Sequence, residues 1–237
     1  MSEVGIVKEK TELAVADGTR MAAYVARPEG GGAHPGLLVF QEAFGVNHHI
    51  RNVCERFAAE GYVAIAPELF HRTAPPGFEG SYTDFQAVRP HYQAVTTETA
   101  EADIRAAYEW LRSNAEVKSG EISSVGFCMG GRVSFIANSV VTLRAAVSFY
   151  GGGIAPGLLG RAARLQAPSL FIWGGLDKNI TPEHRRAVTE ALSTEKKIYV
   201  NAEFSRADHG FFCDEREAYE PHSARQAWAL TLEFLKS

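Results

Sequence analysis

The stretch "SSVGFCMGGRVSF", residues 123–135, decides the fold, because it joins an apolar strand to a helix through a cysteine. The residues before Cys128 form an apolar run that ends a strand, and the residues after it follow a helical period. Gly126 and Gly130 flank the cysteine in a G-x-C-x-G pattern. This pattern is typical of a sharp strand-to-helix turn that presents a nucleophile, with sulfur in place of the serine oxygen.

The position of Cys128 suits a nucleophile. A free thiol is only a few per cent ionised at neutral pH, and the N-terminus of a helix stabilises the anion through its dipole and its free N–H groups. The N–H of Met129, the next residue, is expected to point towards an oxyanion that forms on a substrate. This stretch alone leaves open a small buried thiol whose neighbouring glycines serve tight packing. A Walker-type phosphate loop is excluded, because no Gly-Lys-Ser or Gly-Lys-Thr follows.

The rest of the chain alternates between strand and helix patterns, which is typical of a mainly parallel sheet with helices on both faces. Two alternating segments near 9–16 and 20–27, joined by "DGT", predict an antiparallel hairpin at one edge. Apolar runs predict buried strands at 35–40, 62–67, 121–127, 144–150, 167–174 and 196–201. Helical periods cover 48–60, 98–114, a segment from 130, 182–193 and 217–236, whereas 71–97 has no clear pattern. We therefore predict one α/β domain over residues 1–237.

Ligands bind such sheets at the C-terminal ends of the strands, so the partners of Cys128 are expected there. Asp177 follows an apolar strand in "FIWGGLDKNITP", and His209 follows the next strand in "FSRADHGFF". The order nucleophile, acid, histidine is that of α/β hydrolases. His209 would accept the thiol proton and protonate the leaving group, and Asp177 would hold the imidazole in one tautomer. Asp208 is a rival acid, although a residue adjacent to a histidine rarely orients its ring.

Composition and charge exclude several classes of protein. The chain has a formal net charge of −4 and no long basic run, which argues against a nucleic-acid partner. No window approaches about 18 consecutive apolar residues, and the N-terminus lacks a signal-peptide pattern. Three cysteines without such a signal indicate reduced thiols in the cytoplasm, and their spacing excludes the common zinc patterns. We expect no metal and no cofactor, and we interpret the histidines other than His209 as loop or surface residues, with His48 and His49 on a surface helix.

Five motifs together resemble the dienelactone hydrolase family. They are "QEAFGVN" (41–47), "PELFHR" (67–72), "GFCMGG" (126–131), "GGLDKNITP" (174–182) and "ADHGF" (207–211), and the resemblance extends from about residue 10 to the end. It implies an α/β-hydrolase fold whose Cys-Asp-His triad cleaves a cyclic enol ester to maleylacetate, a reaction of aromatic degradation. It also implies that Glu42 switches the Cys128 thiol to thiolate when substrate binds, and that the N–H of Ala43 is the second oxyanion donor.

The sequence departs from this family where the substrate carboxylate is bound. The family's dienelactone enzymes carry an arginine four residues after the catalytic histidine, and Cys213 stands at that position here. The loss of a bidentate arginine removes much of the recognition of a carboxylate. The sequence therefore does not identify the substrate. Arg216 lies three residues further on, and the other candidates for substrate contact are Arg72, Arg89, Tyr150, Trp173 and Phe211, with Phe44 and Phe70 as further aromatic residues.

We favour a monomeric, cysteine-dependent hydrolase of a small lactone or carboxylic ester. A broad carboxylesterase or a peptidase of the same fold would share the triad and differ in the shape of its pocket. A non-catalytic ligand-binding or thiol-sensing relative would keep a reactive thiol, which can be oxidised instead of acylated, but it would need neither Asp177 nor His209.

Overall fold

The computed structural model describes residues 5–237, and eight strands in this range form one sheet in the order β1-β2-β4-β3-β5-β6-β7-β8. The strands are β1 (Ile6–Ala14), β2 (Arg20–Pro28), β3 (His34–Phe40), β4 (Val63–Pro67), β5 (Val117–Phe127), β6 (Ala146–Phe149), β7 (Ser169–Gly174) and β8 (Tyr199–Phe204). From β3 to β8 every pair of neighbours is parallel, whereas β1 and β2 are antiparallel to each other and β2 is antiparallel to β4. The predicted α/β fold with an N-terminal hairpin at one edge is confirmed.

Helices cover both faces of the sheet. They are α1 (His48–Ala59), α2 (Phe85–Ala94), α3 (Thr97–Ser113), α4 (Met129–Val140), α5 (Pro182–Thr194) and α6 (Pro221–Lys236), with a 3-10 helix at Leu159–Arg164. Side-chain caps mark several N-termini: Asn47, Thr96 and Thr181 each accept a hydrogen bond from a backbone N–H in the first turn. None of these helices, in the part of the chain that the structure describes, is long and apolar enough to cross a membrane.

The sheet is buried because each central strand sends alternate side chains to opposite faces. Along β3, Leu37 and Val39 join an apolar cluster beneath α1 and α6, while Leu38 and Phe40 join a second cluster beneath α3 and α4. All four side chains are fully buried. The continuous apolar runs of the sequence therefore correspond to strands that are covered on both sides, and their C-terminal ends lie together at one edge.

Several elements differ from the sequence prediction: β5 begins at Val117 and not at 121, α6 begins at Pro221 and not at 217, and the start of β8 and the helix α2 differ as well. The segment 71–97 contains α2, which begins after Asp84, whose carboxylate accepts a hydrogen bond from the N–H of Ala87. The pattern was obscured because Pro90 lies inside this helix and only Val88 of it is fully buried. Strand β8 begins later than predicted, because Lys196 has a φ of 53° and turns the chain after α5.

Candidate active site

Cys128 lies in a strained turn between β5 and α4. Its φ of 54° and ψ of −115° place a non-glycine residue in a sparsely populated part of backbone space, which costs about 1–3 kcal/mol. The turn is held by a hydrogen bond of 3.0 Å from the N–H of Cys128 to the carbonyl oxygen of Phe149 on the neighbouring strand. The thiol, which is partly exposed, is therefore presented at the N-terminus of α4.

The glycines around Cys128 let backbone segments approach each other closely. A Cβ atom on Gly126 would lie 1.9 Å from the carbonyl oxygen of Gly130, and one on Gly130 would lie 2.2 Å from the carbonyl oxygen of Phe40. No side chain can be accommodated at either place without displacement of the backbone. The first turn of α4 is thus held against the ends of β5 and β3, which brings Cys128 next to the loop that follows β3.

Asp177 and His209 meet at the same edge of the sheet. Asp177 follows β7 and His209 follows β8, and the His209 Nδ1 atom lies 2.7 Å from Asp177 Oδ2. The other carboxylate oxygen of Asp177 accepts hydrogen bonds from the N–H groups of Asn179 and Ile180. Asp208 instead accepts a hydrogen bond from the backbone N–H of His209. The imidazole is therefore oriented by Asp177 and not by its sequence neighbour.

The electrostatics of this group favour a protonated imidazole. Burial lowers the pKa of His209, but the charge of Cys128 in its ionised form, together with the contacts that His209 makes with Cys128 and Asp177, raises it to about 10, so the imidazole is protonated while Cys128 is a thiolate. Burial raises the pKa of Asp177, whereas its hydrogen bond with His209 and the positive charge there lower it more, so the net shift is downwards. An imidazolium between a carboxylate and a sulfur is the state expected of a general acid beside a thiol nucleophile.

Glu42 and Arg216 form a partly buried ion pair beside the turn. Glu42, only 1% exposed, follows β3, and its Oε1 atom accepts a hydrogen bond of 3.2 Å from Arg216 Nη1. The guanidinium packs over the rings of Phe44 and Tyr82, at 5.6 and 5.9 Å from their centroids. Burial lowers the pKa of Arg216, but the charge of Glu42 and other nearby anionic groups raises it overall. Arg216, three residues after Cys213, therefore reaches the cleft from the loop before α6.

A cleft of about 440 Å³ opens over these groups. It is lined by Ala43, Phe44, Phe85, Tyr92, Cys128, Met129, Gly152, Asn179, His209 and Arg216. Within residues 5–237, the backbone N–H groups of Ala43 and Met129 have no hydrogen-bond acceptor in the protein. Two free amide donors beside a thiol are the arrangement that stabilises an oxyanion.

Several residues predicted to contact substrate lie elsewhere. Arg72 forms a two-bond ion pair with buried Asp103 and a further bond to Asp17, so its guanidinium is already occupied outside the cleft. Arg89 is exposed on α2 and does not line the cleft. Neither residue has the position of a substrate clamp.

Of the aromatic residues predicted to line the pocket, Phe44 borders the cleft, whereas Trp173, Tyr150 and Phe211 do not. Trp173 is buried in the core, where its indole N–H donates a hydrogen bond of 2.6 Å to Asn201. Tyr150 and Phe211 are buried behind the histidine, with the Tyr150 ring centroid 5.1 Å from that of His209 and 5.6 Å from that of Phe211. The Tyr150 ring packs against the imidazole and the Phe211 ring packs against Tyr150, and neither residue lines the cleft.

The other two aromatic residues of the cleft wall come from the segment 71–97, for which the sequence showed no clear pattern. Phe85 and Tyr92 of α2 line the cleft, with their ring centroids 5.8 Å apart. They lie two turns apart on the same helix face, and this spacing was the signal available in the sequence. Phe85 is 46% exposed, and its ring forms part of the open side of the cleft.

The predicted surface position of His49 is wrong as well. Its side chain is 2% exposed and lies in the interior between α1 and the loop before α6, with its ring centroid 6.0 Å from that of Phe127 and 6.1 Å from that of Phe212. Burial lowers the pKa of His49, despite the opposing charge of Glu42 and Asp214, so the imidazole is neutral. His48, the preceding residue, is exposed as predicted and pairs with Glu215.

The sequence profile of the dienelactone hydrolase family matches residues 21–237. A protein of Synechocystis sp. named "Putative carboxymethylenebutenolidase" is 36% identical over 218 residues, which are 88% of this chain and 88% of that protein. This chain belongs to the dienelactone hydrolase family. The prediction that this chain is a carboxylic ester hydrolase is thereby confirmed at the level of the enzyme class.

Solved structures agree with this assignment. The crystal structure of a "Putative Dienelactone Hydrolase" from Klebsiella pneumoniae is 30% identical, covers 98% of this chain and 99% of that one, and has a TM-score of 0.90. A dienelactone hydrolase-like promiscuous phosphotriesterase from metagenomic libraries has a TM-score of 0.83 at 23% identity, over 97% of this chain and 98% of that one. At 23% identity, the similarity to the phosphotriesterase supports the fold alone. The α/β-hydrolase fold predicted from the five motifs is confirmed.

Proposed function

We propose that this family member hydrolyses a lactone or carboxylic ester through a thioester on Cys128, with Asp177 and His209 completing a catalytic triad. The observation that carries the proposal is the 2.7 Å contact between His209 Nδ1 and Asp177 Oδ2 beside a thiol in a strained turn. An oriented imidazole next to a nucleophile is the feature that separates an acyl-transfer enzyme from a protein that only binds a ligand.

In the proposed reaction, the Cys128 sulfur attacks the carbonyl carbon of the substrate. The oxygen of that carbonyl becomes an oxyanion, which accepts hydrogen bonds from the N–H groups of Ala43 and Met129. As the carbon–oxygen bond to the leaving group breaks, His209 donates its proton to the departing alcohol or enolate. A water molecule then gives a proton to His209 as its oxygen adds to the thioester carbon; the carbon–sulfur bond breaks, which releases the acid and returns Cys128 as a thiolate beside protonated His209.

Glu42 is proposed to govern the ionisation of Cys128. In the free protein its Oε1 atom is held by Arg216, whereas Oε2 has no hydrogen-bond partner within the described residues. A substrate carboxylate that binds Arg216 would compete with Glu42 for the same guanidinium. The released carboxylate could then accept the thiol proton, so the nucleophile would form when substrate is present.

The proposed substrate carries a negative group close to its scissile carbonyl. Arg216 is the cationic side chain that lines the cleft, and it lies beside Cys128 and His209. Charge-assisted contacts from arginine are the strongest non-covalent means of binding a carboxylate. A second candidate is an uncharged aryl ester, which the aromatic wall of Phe44, Phe85 and Tyr92 favours.

The test is steady-state hydrolysis of a dienelactone, followed by its ultraviolet absorbance, and of an uncharged aryl ester in parallel. Turnover of either substrate is expected to fall by about 10⁴-fold or more in Cys128→Ala. The matched control is Cys54→Ala, because Cys54 is fully buried in α1 and distant from the cleft in the fold. Activity retained by Cys128→Ala would refute the mechanism. A folded wild-type protein that is thiol-reactive but hydrolyses neither substrate would instead support the thiol-sensing alternative.

A further inference from the structure

Beside the cleft, three buried side chains from distant parts of the chain converge. Glu42 follows β3, His49 lies in the first turn of α1, and Cys213 lies in the loop between β8 and α6. One potential ligand atom from each of them lies within 4.8 Å of the other two. The proposed hydrolysis uses neither His49 nor Cys213.

Two of these residues carry a buried polar atom without a hydrogen-bond partner in the described chain, Glu42 Oε2 and His49 Nε2. His49 Nδ1 faces Asp214 Oδ1 at 3.9 Å, which leaves Nε2 as the free nitrogen. A buried polar group without a partner destabilises the folded protein. Glu42 Oε2 and His49 Nε2 both lack a partner in the same cluster, and the Cys213 sulfur belongs to that cluster. This combination points to one ligand that all three residues would bind.

We propose that Glu42, His49 and Cys213 form a binding site for Zn²⁺. A carboxylate oxygen, a neutral imidazole nitrogen and a thiolate sulfur form a ligand set that suits this ion, whereas Mg²⁺ and Ca²⁺ prefer oxygen ligands throughout. Three protein ligands leave the fourth tetrahedral position for a water molecule. Binding forms a zinc–sulfur bond and displaces the proton of the Cys213 thiol, which passes to solvent.

The charges around the cluster are compatible with a divalent cation. Glu42 is anionic, Cys213 becomes anionic on binding, and Asp214 and Glu215 face His49 from the same loop. Arg216, which is bonded to Glu42 Oε1, and Arg56, which faces His49, oppose the cation. Because Arg216 holds Oε1, the free Oε2 atom can bind the ion while the ion pair stays intact.

Occupation of this site would inhibit the enzyme, an inference that rests on the proposed role of Glu42. A carboxylate fixed by the ion on one oxygen and by Arg216 on the other cannot turn to accept the proton of Cys128. The cation would therefore block formation of the thiolate without contact with the substrate.

The binding test uses Cys128→Ala protein, because Cys128 with His209 could itself bind Zn²⁺ and obscure the second site. Calorimetric titration with Zn²⁺ is expected to show one ion per chain, and Co²⁺ as a probe is expected to give a thiolate-to-metal charge-transfer band. In Cys128→Ala/Cys213→Ser both signals should be lost, with affinity lowered by about 10- to 100-fold or more. The matched control Cys128→Ala/Cys54→Ser should retain them, and Mg²⁺ should not compete.

The absence of stoichiometric binding in Cys128→Ala would overturn the proposal, and so would binding that persists after Cys213→Ser. If Cys213→Ser fails to fold by circular dichroism, His49→Gln in the same background serves the same purpose. Because these measurements need no turnover, their failure leaves the proposed hydrolase intact, and an inactive wild type leaves the metal site intact. For the inhibitory effect, Zn²⁺ on Cys128 and His209 would compete with substrate, whereas Zn²⁺ at the proposed site would inhibit non-competitively; Cys213→Ser is expected to raise the non-competitive inhibition constant by about tenfold, and an unchanged constant would overturn the effect.

Discussion

Arg216 donates a hydrogen bond of 3.2 Å to Glu42, which joins the loop before α6 to the loop after β3 on one side of the cleft. Cys213 occupies the place where the family resemblance leads us to expect an arginine, and the guanidinium of Arg216 lines the cleft from three residues further along the same loop. Both members of the pair are largely buried, with side-chain exposures of 20% and 1%. Substitution of one member of a buried ion pair is costly, because the charge of the other member is then left without a partner.

Arg216→Gln is expected to lower kcat/KM for an anionic lactone by about 10- to 100-fold, since hydrogen bonds to charged groups contribute about 1.5–3 kcal/mol. Hydrolysis of an uncharged aryl ester should change much less. The matched control is Arg89→Gln, which removes an exposed arginine outside the cleft and should affect neither substrate. Equal losses on both substrates, in protein shown to be folded, would mean that Arg216 does not recognise the substrate's charge.

Asp177→Asn is expected to lower kcat/KM by at least about 100-fold with little effect on substrate affinity. The amide oxygen can still accept the N–H groups of Asn179 and Ile180, so the loop should persist, but the imidazole loses its stabilising charge. Asp208→Asn is the control, because the Asp208 carboxylate accepts a hydrogen bond from the backbone N–H of His209 and, within the part of the chain that the structure describes, none from its ring. If the two variants lose activity to a similar degree, the assignment of Asp177 as the orienting acid is incorrect.

The imidazole of His209 is expected to titrate near pH 10 in the folded protein. The ordinary value is 6.5, so the stabilisation that protonated His209 contributes is complete below about pH 6.5 and is lost as the pH rises towards 10. Cys128→Ala removes the largest influence that raises this pKa and should move the titration towards lower pH. Nuclear magnetic resonance of the histidine ring protons measures both values, and the same midpoint in both proteins would contradict the proposed sulfur–imidazole coupling.

Gly126→Ala is expected to reduce the free energy of unfolding by about 3 kcal/mol, because its Cβ atom would lie 1.9 Å from the carbonyl oxygen of Gly130. Gly160→Ala is the control, since nothing lies within 4 Å of a Cβ atom at that position. Chemical denaturation of the two variants gives the comparison. A Gly126→Ala protein as stable as wild type would show that the turn around Cys128 has room to relax.

Local sequence patterns are sufficient to predict the structure wherever short-range sterics and periodicity determine it. The glycines around Cys128 indicated the sharp turn, because a close backbone approach excludes side chains whatever surrounds it. Apolar runs located the parallel strands, and the strand ends then indicated where Asp177 and His209 would meet. Apolar periodicity does not predict the helix α2, because most of its side chains are exposed and Pro90 lies in its interior.

The sequence by itself thus determined the α/β layering, the turn at Cys128, and the positions of Asp177 and His209 at the same edge of the sheet. Only the tertiary structure decided which arginine reaches the cleft, which aromatic residues form its wall, and that His49 is buried beside Glu42 and Cys213. The physical reason is the range of the interactions. Backbone sterics and strand periodicity act between near neighbours, whereas a shared cleft is formed by loops whose side chains meet only after the whole sheet has assembled.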